Sequence, residues 1–509
     1  MNWPLATSPW PHQSAGYDFA RPLPAAMIAA GIGTGKTALS IAMQVGWGSK
    51  RSLILCPSSV RSVWRRELAR HWPDCQAVIL DEGSVRKRTE TAAKAVAEQT
   101  RPIAIAVNYE ACSLPPLSDW ILSQRWDAVV LDESHLGGVK TDGSRTSRFV
   151  SQLTSISEHR TALSGTPLAH CPLNVYGQYR FLDPAVFCRD FPNYYDFAKH
   201  FGAPKQIRLR KRLKNARSAM LAAMANCFGA DSPQFDAISE EPDYMESLPG
   251  IRHAQDFEDR IKPLTWRCTT SDVLALPEMI PQRREVTLAG EQQRVYDGLC
   301  SSLYAELSSG DCTTVNSPLT MGIRLQQICS GFIGCDGGGI YRFAKNPKRD
   351  ALADLLREAG EPVVVFCRFI ADLDTVEATC KELGLRYGEL SHRRKDAMTN
   401  LATLAEDIDV AAVQPQSGGV GIDLTRASVG VWYSFPRSLP IFDQGVGRLW
   451  RPGTRGVRMY SLVAEKTIEE DIILTIDDRR EITEGILNSL KRYIDTSINV
   501  CYNVAQREE

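Results

Sequence analysis

Gly31-Ile32-Gly33-Thr34-Gly35-Lys36-Thr37 joins backbone freedom, a fixed positive charge and a hydroxyl, directly after the apolar run Ala25 to Ala30 and before the helical run Ala38 to Val45. Strand, glycine-rich turn, then helix is the setting in which main-chain N–H groups curl around phosphate oxygens and a helix dipole adds its pull. Gly33, Thr34, Gly35, Lys36 and Thr37 are therefore candidates to bind ATP, with Lys36 on the β- and γ-phosphates and Thr37 on Mg²⁺. Ala30 stands where the general pattern has its first glycine. A second chemical pair follows the apolar strand Ala128-Val129-Val130-Leu131, in Asp132-Glu133-Ser134-His135. There Asp132 is placed to hold Mg²⁺ and Glu133 to orient or deprotonate an attacking water. Such a pair alone is usually a solvated loop; its partnership with the glycine-rich loop gives it a task. In Gln444-Gly445-Val446-Gly447-Arg448-Leu449-Trp450-Arg451, steps of four and three predict Gln444, Arg448 and Arg451 on one helical face.

These residues need a scaffold that brings distant strand ends together. Short β-type runs at Ala25 to Ala30, Leu53 to Cys56, Ala77 to Leu80, Ile103 to Val107, Ala128 to Asp132 and Thr161 to Gly165 alternate with helical stretches, which predicts a parallel sheet covered on both faces. A second series at Val363 to Cys367, Val410 to Gln414, Val429 to Ser434 and Val457 to Val463 predicts another. Between them, residues 175 to 345 lose the strand rhythm and read as helices and loops. The proline-bearing segment Leu276 to Arg284 is the expected crossing, because Pro277 and Pro281 resist helix and central strand. The expected organisation is lobe 1 over 1–275 with an insertion at about 180–260, a linker at 276–284, and lobe 2 over 285–480 with an insertion at about 290–345. A closing helix and tail over 467–509 complete it.

At 509 residues the chain exceeds the ~250 to 300 at which one core stops growing, so two lobes are affordable in size. With 43% hydrophobic and 23% charged residues and no apolar run near the ~18 to 20 needed to span a bilayer, no membrane role is supported. Met1 to Pro11 has no secretory pattern, and a cytoplasmic setting is expected. The 14 cysteines include no C-x-x-C spacing and read as reduced structural thiols. A formal charge of −1 leaves the partner open.

With Asp132-Glu133-Ser134-His135 in view, the chain resembles the superfamily 2 helicase-like ATPases, and within them the Swi/Snf type. Pro11-His12-Gln13 resembles the start of the family's first motif, which implies that Gln13 reads adenine. Leu55-Cys56-Pro57-Ser58-Ser59, followed by Trp64 and Glu67, resembles motif Ia. Asn108-Tyr109-Glu110 and Ser164-Gly165-Thr166-Pro167 resemble the next track-facing motif and motif III. Gln416-Ser417-Gly418-Gly419-Val420-Gly421-Ile422-Asp423-Leu424-Thr425 resembles motif V, and the segment from Gln444 to Arg451 resembles motif VI. The Swi/Snf likeness rests on Trp266-Arg267, Leu274-Ala275-Leu276-Pro277, Arg324-Leu325-Gln326-Gln327-Ile328-Cys329 and Thr467-Ile468-Glu469-Glu470. It departs at Ala30-Gly31-Ile32-Gly33 and around Trp450 and Pro452.

The resemblance implies an α/β fold of two tandem RecA-like lobes, each a parallel sheet flanked by helices, with helical insertions in both. It implies Lys36, Asp132, Glu133, Gln444, Arg448 and Arg451 as catalytic residues, with arginine fingers worth roughly 10³ to 10⁵ in rate. It further implies nucleic-acid contacts at Pro57, Ser58, Asn108, Tyr109, Arg368, Ser417, Gly418 and Thr425, and DNA, duplex or forked, as partner. The basic run Lys205 to Arg217 and Arg393-Arg394-Lys395 are further candidates for phosphate contact. Trp64, Trp72 and Trp120 read as packing residues. The expected activity is an ATP-dependent DNA translocase in repair, recombination or replication, of bacterial or viral kind. A strand-separating DNA or RNA helicase and a nucleotide-gated scaffold are the alternatives.

Overall fold

The structure, a computed structural model, describes residues 3–477 apart from 32, 82, 136–138, 140, 166–171, 209–243, 274–276, 303, 316–317, 392, 394–406, 416–423 and 452–454. Strands β1 (Ala25–Ala30), β2 (Arg51–Cys56), β3 (Gln76–Ile79), β4 (Ile103–Asn108), β5 (Trp126–Leu131) and β6 (Ser157–Ser164) lie where the apolar runs predict. An antiparallel ribbon of β7 (Gly202–Arg208) and β8 (Tyr244–Ile251) precedes β9 (Thr265–Cys268). The first sheet has the order β3-β4-β2-β5-β6-β1-β9 with every pairing parallel. Its strands are apolar on both faces because both faces are covered. Ala25, Met27 and Ala29 enter one core with Leu53 and Leu131, whereas Ala26, Ile28 and Ala30 enter another with Ile54 and Val130.

The second sheet contains β10 (Met279–Val286), β15 (Val363–Phe366), β16 (Tyr387–Leu390), β17 (Val410–Val413), β18 (Val429–Trp432) and β19 (Val457–Ala464), in the order β10-β19-β18-β15-β17-β16, again all parallel. Val364 and Phe366 pack on one side, Val363 and Val365 on the other. Between β10 and β15, helices Gly290–Ser302 and Pro318–Cys329 alternate with two hairpins, β11 (Tyr304–Glu306) with β12 (Cys312–Thr314) and β13 (Phe332–Gly334) with β14 (Ile340–Arg342).

Two expectations are corrected. The segment 276–284 is not a strand-free linker: Met279–Val286 is β10, paired with β19 in the register Pro281↔Met459. A proline is tolerated there because, among the described residues, β10 is an edge strand with one side outside the ladder. The span 175–345 likewise contains β9, which completes the first sheet beside β1, as well as three antiparallel pairs. β9 and β11 to β14 have only three or four residues each, too short for alternation to register against neighbouring helices.

Residues 468–477 are helical, within the expected closing helix. The remaining 478–509 and most of the basic run from Lys205 to Arg217 lie outside the described residues, as do Arg394 and Lys395. Glu469 enters the interior and pairs with Lys348, Nζ to Oε1 2.5 Å and to Oε2 2.7 Å, both side chains 1% exposed. Among the described residues no helix is long and apolar enough to cross a membrane.

Candidate active site

The carboxyl ends of β1, β6 and β5 are neighbours in the sheet, so the segments that follow them converge. After β1 the chain turns through Gly33 (φ 79°) and Gly35 (φ 75°), left-handed conformations open to glycine, and enters the helix Lys36–Gly46. A Cβ at Gly35 would also collide with Gln13 Nε2. Lys36 Nζ donates to the carbonyls of Ala30 (2.8 Å) and Gly31 (3.1 Å), which holds its charge against the loop.

Asp132 follows β5, buried, with its N–H donating to Leu55 O at 2.8 Å. Burial, reinforced by Glu133, pushes its carboxyl up to about 7, against the pull of Trp64 and Lys36. Trp64 Nε1 donates to Asp132 Oδ2 at 2.8 Å, and Tyr109 Oη donates to the Asp132 carbonyl at 2.8 Å. Glu133 has φ 46°, a strained conformation for a residue with a side chain. His135 Nδ1 lies 3.5 Å from Glu133 Oε2 and 2.8 Å from Ser164 Oγ, so the acidic loop is joined to the end of β6. Ser134 Oγ donates to Gln178 Oε1 at 2.6 Å.

The second lobe reaches the same space through the helix Leu439–Leu449. A cleft of about 480 Å³ is lined by Gln13, Gly33, Gly35, Lys36, Thr37, Asp132 and Glu133 on one side and by Gln444, Arg448 and Arg451 on the other. Burial, with Arg451 nearby, lowers the Arg448 guanidinium to about 10, and its Nη2 donates to Pro415 O at 3.5 Å. The helix ends at Leu449, so Arg451 is not on the helical face that its spacing predicts. Pro452 disfavours helical backbone at the residue before it. Arg451 instead turns back, Nε to Gly447 O at 3.1 Å, and still lines the cleft. Trp450 Nε1 donates to Pro277 O at 2.7 Å, tying this helix to the crossing between lobes.

The SNF2-related domain matches residues 22–331, more than half of the chain, and the helicase conserved C-terminal domain matches residues 347–453. The chain belongs to the SNF2-related family. An uncharacterized ATP-dependent helicase of Mycoplasma genitalium is 23% identical over 90% of this chain and 40% of its own length. A homolog of SWI/SNF-related matrix-associated actin-dependent regulator of chromatin subfamily A-like protein 1, from Caenorhabditis elegans, is 25% identical over 91% of this chain and 59% of its own. A Sulfolobus solfataricus SWI2/SNF2 ATPase core, solved in complex with dsDNA, is similar with 19% identity and a TM-score of 0.40, covering 96% of this chain and 95% of that one. This SNF2-related chain spans 40%, 37% and 41% of three curated relatives it matches, from Mycoplasma genitalium, Mycoplasma pneumoniae and Danio rerio.

The residues that the SNF2-related resemblance assigns to the track divide. Pro57 is half-buried and Ser58 exposed after β2. Asn108 is buried, accepting from Arg88 Nη1 (2.9 Å) and donating to Glu110 Oε2 (2.5 Å), which also accepts from Ser58 Oγ at 3.5 Å. Tyr109 is buried beneath Asp132 instead of facing outward; its ring needs the core and its hydroxyl needs the carbonyl. Arg368 is half-buried, bonded through Nη1 to Gln326 Oε1, and lowered to about 10 by burial with Arg437 beside it. Thr425 is half-buried in a turn; Ser417, Gly418, Thr166 and Pro167 lie outside the described residues. Arg393 is held in ion pairs with Glu389 (2.7 Å) and Asp374, which occupy the charge that phosphate contact requires.

Sequence reasoning gave Trp64 a packing role only. It is fully buried, yet its indole N–H also orients the acidic loop. The signal available was its place in motif Ia.

Proposed function

We propose that this chain is an ATP-dependent DNA translocase that hydrolyses ATP between its two lobes and moves along duplex DNA. The observation that carries the reading is the convergence of Lys36, Asp132 and Glu133 from the first lobe with Gln444, Arg448 and Arg451 from the second on one cleft. The loop around Gly33, Thr34 and Gly35 presents main-chain donors to phosphate, and Lys36 exchanges its loop carbonyls for phosphate oxygens. Thr37 and Asp132 offer hydroxyl and carboxylate oxygens, a donor set that fits Mg²⁺. When bound, Mg²⁺ supplies positive charge against the phosphates. Glu133 orients the attacking water, held by His135, while Arg448 and Arg451 meet the charge that develops on the γ-phosphoryl group. Opening and closing of the cleft then moves the track-facing loops after β2 and β4 relative to those of the second lobe. A cytoplasmic role in DNA repair, recombination or replication belongs to the same reading.

The test is ATP hydrolysis measured without nucleic acid and with single-stranded DNA, duplex DNA, forked DNA and RNA. Duplex or forked DNA should stimulate most. Stimulation by single-stranded substrates alone supports a strand-separating helicase instead, and no stimulation by any of them leaves a scaffold.

A further inference from the structure

We propose that Trp450 is a positioning residue, which fixes Arg451 for its part in hydrolysis by clamping that segment to the crossing between the lobes. The proposal rests on the ATP reading above. Where the helix Leu439–Leu449 stops, Trp450 has φ −90° and ψ 92°, so the chain leaves the helical path just before Arg451. A guanidinium carried beyond a helix end needs an external reference if it is to meet a phosphoryl group in one geometry. Trp450 supplies that reference. Its N–H donates to Val446 O at 3.0 Å, and its indole Nε1 donates to Pro277 O at 2.7 Å, a bond between residues 173 apart in the chain. The half-buried ring packs, with Met279 and Phe442, against the core that holds Trp432 and Leu449. Trp450 is also among the residues at which the sequence departs from its Swi/Snf likeness, so the clamp is a property of this chain.

The acceptor shows what the clamp is referred to. Next to Pro277, Glu278 O accepts from Val457 N at 2.9 Å, and an ideal Cβ on Gly456 would lie 3.3 Å from that oxygen. The second lobe therefore grips two consecutive carbonyls of the crossing, one through β19 and one through Trp450. The proline ring fixes φ at 277, which narrows the directions its carbonyl can take. At the first-lobe end, Cys268 O accepts from Gly31 N at 2.9 Å, and an ideal Cβ on Gly31 would lie 2.6 Å from Thr270 N. Gly31 O in turn accepts from Lys36 Nζ at 3.1 Å. The described ends of the crossing thus touch the phosphate loop on one side and the Arg451 segment on the other. Arg448 is placed differently, inside the helix, with its carbonyl accepting from Leu424 N at 3.2 Å.

A double-variant cycle tests the clamp. AMP-PNP affinity and single-turnover ATP hydrolysis, with the nucleic acid that stimulates the wild type most, are measured for the wild type, Trp450→Phe, Arg451→Ala and the double variant. Phenylalanine keeps a ring against the core and deletes the donor. Hydrolysis by Trp450→Phe at saturating ATP should fall about ten- to hundred-fold, with AMP-PNP affinity within about twofold of wild type, because a displaced guanidinium is missed in the transition state. The double variant should match Arg451→Ala to within about twofold, since a group that is absent cannot be misplaced. Multiplied losses in the double variant mark Trp450 as a support of the lobe alone and overturn the proposal. Unchanged hydrolysis in Trp450→Phe, or in Arg451→Ala, overturns it as well. If circular dichroism shows Trp450→Phe to be unfolded, benzothienylalanine at position 450 takes its place, sulfur standing for the N–H in the same bicyclic shape, and the same outcomes decide. A wild type that neither binds AMP-PNP nor hydrolyses ATP overturns the ATP reading itself, and this inference with it.

Discussion

At the scale of single residues, the cleft separates groups that bind from groups that react. Lys36→Ala removes the fixed charge at the phosphate loop and should reduce ATP hydrolysis below about a tenth of wild type, given the several kcal/mol such a contact supplies. Glu133→Gln should retain nucleotide and Mg²⁺ binding while losing turnover; binding lost together with turnover would mark Glu133 as structural. Trp64→Phe keeps the buried ring but deletes the donor to Asp132. Its half-saturating Mg²⁺ concentration for hydrolysis should rise about 10- to 100-fold with unchanged circular dichroism. The residues proposed to react were legible as cleft residues in the sequence because phosphate chemistry requires those types in that order. Trp64 and Tyr109 were not, since their bonds to Asp132 span 68 and 23 residues and exist only once β2, β4 and β5 are neighbours.

Among the elements, the helix Ile370–Leu383 carries a buried acid in its first turn. Asp372 Oδ2 accepts from Ser434 Oγ (2.5 Å) and from Phe369 N (3.1 Å), and burial pushes the carboxyl up to about 6. With the folded pKa above the unfolded one, the unfolded chain gives up its proton first as pH rises. Stability contributed by the protonated acid is thus full below about pH 4, lost up to about pH 6, and flat beyond. Between pH 4 and 7 the wild type should lose about 2–3 kcal/mol relative to Asp372→Asn, read by denaturant unfolding. Parallel curves would refute the assignment. Lys348→Met should cost the second lobe about 3–5 kcal/mol, because Glu469 is left charged and buried. Long apolar runs announced the central strands of both sheets. The edges were harder: β10 carries Pro281, Gln282, Arg283 and Arg284, a composition that only an unpaired side permits.

For the whole molecule, the proposed function depends on two lobes meeting. Arg448→Ala and Arg451→Ala should lower kcat steeply and leave nucleotide affinity nearly intact, because the proposed role of these cleft-lining guanidinium groups is at closure. A pure rise in KM would contradict the finger role. Movement on duplex DNA should displace a triplex-forming third strand from a blunt duplex, with stimulation falling sharply as salt rises, and Lys36→Ala should be inert. Unwinding of a tailed duplex without triplex displacement would favour the helicase alternative. One further consequence follows from β10. Sheets with a bare margin invite another chain to add a strand, and this margin is guarded by a proline and by exposed charge at Arg283 and Glu285. The substitutions that would make β10 a better strand, such as Pro281→Val with Arg283→Val, should therefore make light scattering climb more steeply with concentration than in the wild type.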